Sequence, residues 1–137
     1  MHSKGGFIMI KVAILFIIYS NITLAGDAYK CTVKQTAGLR DNGEMSETNF
    51  SKLYLGKEFV VDKRTGLMNG GLSNHNAYGQ PKVIDYGSSQ QSFKVITIFK
   101  PMTAVDYLYV EEFKANSEKP FIFITCQDIF SGICIVY

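Results

Sequence analysis

Two histidines, three cysteines and twelve acids are the groups from which this 137-residue chain could build a reactive site. His2 stands at the extreme N-terminus, which leaves His75, inside Asn74-His75-Asn76, as the candidate acid–base group. One imidazole can act as a general base or a lone metal ligand. A zinc site needs several His, Cys or carboxylate ligands at compatible spacing, and none surround His75. The chain carries no Gly-x-Ser-x-Gly elbow, no His-Glu-x-x-His and no phosphate-binding Gly-rich loop, so it has neither a cofactor motif nor a metal motif. The simpler reading of His75 is a loop residue that orders its loop or contacts a partner.

The acids give no pair. Glu111 and Glu112 are adjacent, so on a strand they face opposite sides. Asp62, Asp85 and Asp106 fall at the edges or ends of strand-like runs, where acids commonly serve turns. Two-carboxylate glycoside hydrolysis needs acids about 5–9.5 Å apart across a cleft, and nothing in the spacing supports that.

The cysteines are Cys31, Cys126 and Cys134, an odd number that allows one disulfide and one leftover thiol. Three pairings are open. Cys31–Cys134 is favoured because the terminal strands of a closed sheet tend to be neighbours, and it would close a loop of about 100 residues. Cys126–Cys134 would staple a local hairpin, and Cys31–Cys126 is the third possibility. No Cys-x-x-Cys spacing occurs. Cys126 ends the most apolar run, Phe121 to Cys126, where a thiol is expected to be an inert small hydrophobe.

The elements that must position these groups read mostly as strands. Tyr29 to Lys34 alternates, with Tyr29, Cys31 and Val33 on one face. Arg40-Asp41-Asn42-Gly43 is a turn. Ser46 as N-cap, Glu47 in the first turn, a Met45–Phe50 staple and Gly56 as stop predict one short α-helix with Phe50, Leu53 and Tyr54 on its core face. Lys57 to Asp62 is a strand, Lys63-Arg64-Thr65-Gly66 a turn with Gly66 at positive φ, and Leu67-Met68 the return. Further strands are expected at Lys82 to Tyr86, Ser92 to Phe99, Val105 to Phe113 and Phe121 to Cys126, with a short last one from Ile133 to Tyr137. Apolar residues alternate on both faces of the central strands (Phe93, Val95 and Phe99 against Ile96 and Ile98), which predicts cover on both sides. The fold class that follows is mostly β: an antiparallel β-sandwich or up-and-down barrel with one short helix.

The composition agrees. With 47% hydrophobic and 19% charged residues the chain has enough apolar material for a globular core. Its start reads differently. Lys4 and Lys11 precede the run Val12 to Ile18, no acid occurs before Asp27, and small residues follow at Ala25, Gly26 and Ala28. That pattern predicts a signal peptide over residues 1–25, cleaved after Ala25 (or Ala28) and begun at Met1 or Met9, ahead of a single mostly-β domain over residues 26–137. The apolar run is shorter than the roughly 18–20 residues a membrane span needs. The expected location is the periplasm or the exterior, with no membrane span once the leader is gone. Two of the fourteen basic residues lie in the leader, leaving twelve against twelve acids. A neutral domain lacks the basic stripe that nucleic-acid binding requires.

Asn69 to Pro81 is the longest stretch without strand pattern, rich in Gly and Asn, and long loops of this kind are often functional. Tyr78 lies in it and Tyr86 just beyond; amphipathic aromatics near loops make good contact residues. Tyr107 and Tyr109, in mid-strand, read first as sheet packing. The candidate binding residues are therefore Asn74, His75, Asn76, Tyr78 and Tyr86.

Gly56-Lys57-Glu58-Phe59-Val60-Val61-Asp62 with Thr65-Gly66, Asn74-His75-Asn76-Ala77-Tyr78-Gly79, and Phe130-Ser131-Gly132-Ile133-Cys134 resemble a group of small exported bacterial proteins of uncharacterised function. The resemblance implies export and a single domain and carries no activity with it. A looser likeness, in size and in the cysteine-bracketed β pattern, is to small periplasmic lysozyme inhibitors, without a matching inhibitory motif. The leading expectation is a non-enzymatic protein- or envelope-binding module whose partner is an envelope protein or a glycan. The alternative is a barrel holding a small apolar ligand, and an enzyme built on His75 comes third.

Overall fold

The computed structural model describes residues 26–74 and 80–137; the predicted leader, together with His75, Asn76 and Tyr78, lies outside the described residues. Nine strands form one antiparallel sheet: β1 (Ala28–Leu39), β2 (Met45–Ser46), β3 (Glu58–Asp62), β4 (Met68–Gly70), β5 (Lys82–Tyr86), β6 (Phe93–Phe99), β7 (Ala104–Val110), β8 (Glu118–Thr125) and β9 (Asp128–Val136). Their order is β4-β3-β1-β9-β8-β7-β6-β5, with β2 paired to β1. From β5 to β9 the chain is a meander of neighbouring strands, and β9 then lies beside β1, which curls the sheet into a half-barrel. The mostly antiparallel β fold expected from the alternation is the fold observed.

Closure puts Cys31 directly opposite Cys134 in the β1–β9 ladder, and the two form the disulfide. Register therefore selects one pairing from three. The same ladder requires Gly132, because a Cβ there would stand 1.9 Å from the Thr32 carbonyl oxygen. The last strand, expected from Ile133, begins at Asp128, so Ser131-Gly132 runs through β9. At the open seam between β4 and β5 the join is made by packing. Gly66, at φ 77°, brings the β3–β4 turn so close to β6 that a Cβ would meet Val95 at 2.6 Å.

Inward residues make one core: Tyr29, Cys31, Val33, Phe59, Val61, Met68, Phe93, Val95, Leu108, Val110, Phe121, Phe123, Phe130 and Cys134, with Leu72 from the loop. Edge-to-face rings, Phe59 on Phe121 and Tyr29 on Phe93, fill its middle.

Three expectations are corrected. The helix of Ser46 to Leu55 is a single 3₁₀ turn at Ser51–Tyr54; a second such turn is Lys100–Met102. Ser46 pairs with Gly38 in β2, and Arg40 holds its hydroxyl (2.8 Å) and the Glu47 carbonyl (2.6 Å), so the residues meant to start the helix belong to the sheet. Thr48 and Ser51 then exchange side-chain-to-backbone bonds of 2.9 Å each, tying a tight turn. Of the predicted apolar stripe only Tyr54 packs on the core; Phe50 and Leu53 (68%) are exposed. Two turns without a buried face have nothing to stabilise them.

The central strands are also covered on one face alone. Asp106, Leu108 and Val110 of β7 point inward, whereas Val105 and its cross-strand partner Ile98 (50%) are exposed and Tyr107 and Tyr109 half-buried on the outer face. Finally, Cys126 is not a buried strand residue. Thr125 pairs with Asp128, so Cys126 and Gln127 form the two-residue connection of the β8–β9 hairpin, and Cys126 is exposed. Its φ of 50° has the sign that a II′ turn demands at its first central position.

Candidate functional site

The half-barrel has a sealed end and an open one. The open end collects the β1–β2 connection, the Ser51–Tyr54 turn, the Lys100–Met102 turn and the Cys126–Gln127 hairpin, because registers such as Gly38 with Asp128 and Asp106 with Thr125 bring those strand ends together. One inward row near this end is polar across four strands, whereas the next, Val95, Leu108, Phe123 and Phe130, is apolar. Thr97, Asp106, Thr125 and Asp128 follow one another across β6, β7, β8 and β9. Thr125 Oγ1 donates to the buried Asp106 carboxylate at 2.6 Å. The Thr97 hydroxyl, buried opposite Asp106, has no hydrogen-bond partner among the described residues.

Over this row opens a cavity of about 290 Å³, lined by Phe50, Tyr54, Gly71, Leu72, Ser73, Phe123, Thr125, Cys126, Asp128 and Phe130. Its aromatic wall is continuous. Phe50 meets Tyr54 edge-to-face at 5.4 Å, Tyr54 meets Phe130 at 5.1 Å, and Phe130 stacks on Phe123 at 6.3 Å. Local structure explains the arrangement. The 3₁₀ turn carries Phe50 and Tyr54 over the sheet, and Thr36 Oγ1 anchors that turn through Ser51 Oγ at 3.1 Å.

Asp128 is the charged group of this wall, and among the described residues no donor or cation reaches its carboxylate. Partial burial without compensation raises its pKa above the usual aspartate value. The backbone beside it is bare: a Cβ on Gly38 would lie 2.7 Å from Asp128 Oδ1. Around the mouth, Leu39, Met45, Leu53 and Met102 are exposed apolar side chains of the same end.

Of the sequence-predicted binding residues, Asn74 and Tyr86 are described, and both lie beside the β3–β4 turn. Asn74 is buried and structural: its Nδ2 donates to the Gly66 carbonyl at 2.8 Å, and its Oδ1 accepts from the Met68 N–H at 3.4 Å. It fastens the loop to the β3–β4 turn. Tyr86, 62% exposed, lies on the edge strand in a groove with Arg64, Thr65, Leu67, Gln80, Pro81, Lys82 and Val83, along the seam. His75, Asn76 and Tyr78 lie outside the described residues. The loop's first residues, Gly71 to Ser73, nevertheless line the mouth cavity, and Gln80 and Pro81 line the seam groove.

Asp62 and Asp85 do serve turns, Asp62 accepting from the Arg64 N–H (2.8 Å) and Asp85 from the Gly87 N–H (2.9 Å). Asp106 does not: it is an inward residue of β7. Sequence reasoning passed over Asp128, Thr125 and the ring series. Their signal was the sequence Thr125-Cys126-Gln127-Asp128 at the end of an apolar strand, two polar residues flanking a hairpin tip. No group of three or more His, Cys, Asp or Glu that could hold a metal occurs among the described residues, and no helix there is long and apolar enough to cross a membrane.

No protein-family model, no curated protein and no solved structure matches this chain.

Proposed function

We propose that this protein is a non-enzymatic binding module, working on an exported protein or envelope partner, and that the open mouth is its contact surface. The observation that carries this is the mouth cavity: four rings and a carboxylate without a partner among the described residues, at an end that also exposes apolar side chains. Concave apolar sites with a few convergent polar groups are the usual form of a binding site, and clustered exposed apolar residues mark interaction surfaces. The disulfide accords with an oxidising, exported environment. Binding needs no reactive constellation, and the polar groups of the mouth are those of recognition.

The alternative, a barrel holding a small apolar ligand, needs an open interior. Phe59, Phe93, Phe99 and Phe123 are all buried within the sheet and occupy that space. The experiment is photo-crosslinking from Leu53 and, separately, from Tyr86, each in its own cell-envelope preparation. Adducts from Leu53, lost in Phe50→Ser, support the mouth. Adducts from Tyr86 alone would move the contact to the seam and overturn this reading.

A further inference from the structure

The mouth cavity has a specific chemistry. Part of its wall is apolar and aromatic, from Phe50 through Tyr54 and Phe130 to Phe123. The rest includes residues with oxygen acceptors: Asp128, Thr125 and Ser73 all line it. At about 290 Å³ it lies at the small end of ligand pockets, room for one long side chain rather than a cofactor. A carboxylate that is partly desolvated and unpaired favours a cation, and the interaction strengthens as the incoming group excludes water.

We infer that the mouth takes the lysine side chain of a partner protein, its methylene stem lying along the rings and its ammonium reaching Asp128. This deepens the binding-module reading and rests on it. Lysine fits better than arginine because its ammonium carries three rotatable donors, which suit acceptors on three separate residues, whereas guanidinium presents a flat fork suited to a single carboxylate. A chain of methylenes ending in a charge also matches a wall that sets rings beside a carboxylate, Phe130 and Phe123 lying one inward row from Asp128 and Thr125. A protein donor is indicated over a free amine by the rim. Leu39, Met45, Leu53 and Met102 stand exposed at the same end and would be covered by a flanking surface, which a small amine does not supply.

The test is an NMR titration of the ¹⁵N-labelled domain with Nα-acetyl-lysine methylamide, its norleucine and arginine counterparts, and the peptide Leu-Lys-Leu with blocked ends. The lysine probe is expected to shift the amides of Leu72, Ser73 and Cys126 to Phe130. Asp128→Asn should weaken it about tenfold or more, the worth of one hydrogen bond to a charged group. The leucine-flanked peptide should bind more tightly, and Leu53→Ser should remove the gain. Norleucine shifting the same amides equally would overturn the cation and leave the binding module standing. Tighter binding by arginine would overturn lysine, and equal affinity of peptide and single residue would overturn the protein donor. If no probe shifts the mouth amides, the inference falls and the module reading loses its site. The norleucine comparison uses the wild-type chain, so it does not depend on any variant folding.

Discussion

The two ends of the half-barrel treat polar groups in opposite ways. At the sealed end Tyr29 donates its hydroxyl to Glu112, Lys63 pairs with Glu112 at 3.7 Å and lies 4.8 Å above the Tyr29 ring, and the buried Lys119 ammonium donates to the carbonyls of Glu112 (2.9 Å) and Lys114 (2.6 Å). Each buried charge there has found a partner, as burial requires. At the open end neither Asp128 nor Thr97 has a side-chain partner among the described residues, and Cys126 is a free thiol. One end is built for stability. The other keeps uncompensated groups, a cost that proteins tolerate where something is to be bound.

The largest effect that would sharpen this contrast lies at neither end but in the waist. Replacing Cys31 and Cys134 together with Ser opens a loop with a sequence separation of 103. Denaturant unfolding should show a loss of about 4–5 kcal/mol on the chain-entropy model. At the sealed end, Glu112→Ala removes the acceptor of Tyr29 and the counter-charge of Lys63, and should cost about 2 kcal/mol in the same measurement. A change no larger than that of a surface substitution would break the comparison.

The sealed end also predicts an alkaline limit. Burial first, then the bond to Glu112 and its charge, push the Tyr29 phenol far above its ordinary pKa. The folded state therefore keeps a proton that the unfolded chain releases above about pH 10, so stability is full below that pH and falls as pH rises beyond it. Tyr29→Phe should flatten the fall in melting temperature measured through that range.

At the open end the titrating group burdens the fold instead of supporting it. Asp128 has a raised pKa because burial desolvates its charge, so its charged form is a small burden on the fold. Its neighbours on the cavity wall are Tyr54 and Cys126, and Asp106 stands behind Thr125; none is a cation. Asp128→Asn should raise the melting temperature by about 1–3 °C at pH 7 while reducing lysine binding. Smallest of all, Leu53→Ser on the rim should stay within about 0.5 kcal/mol in stability, since the side chain is exposed. A larger loss would mean that the rim belongs to the core.

Much of the sheet was legible along the chain. Tyr29, Cys31 and Val33 alternate with polar residues and all three turn inward, and Lys82 to Tyr86 is β5 residue for residue. Gly66 takes the positive φ its turn suggested, and Phe93, Val95, Thr97 and Phe99 share the inner face of β6. Such features are local: period two and turn chemistry are written in neighbouring residues. The helix was misread because capping signals at Ser46 and Glu47 are local too, and the pairing of β2 with β1, together with the Arg40 side-chain bonds, outweighed them. The candidate site was the least legible part. Asn74 proved to be a fastener of its loop, and Tyr86 lies in the seam groove, paired with Phe93 at the far end of β6 from the mouth.

What the sequence by itself determined is which residues alternate, where turns fall and that apolar material suffices for a β core. Tertiary structure decided the rest: that Cys31 meets Cys134, that Cys126 sits at a hairpin tip, and that Phe50, Tyr54, Phe123 and Phe130 meet around Asp128. The reason is register. Residues far apart along the chain become neighbours through ladder pairing, and a shift of one residue would send each of those side chains to the opposite face.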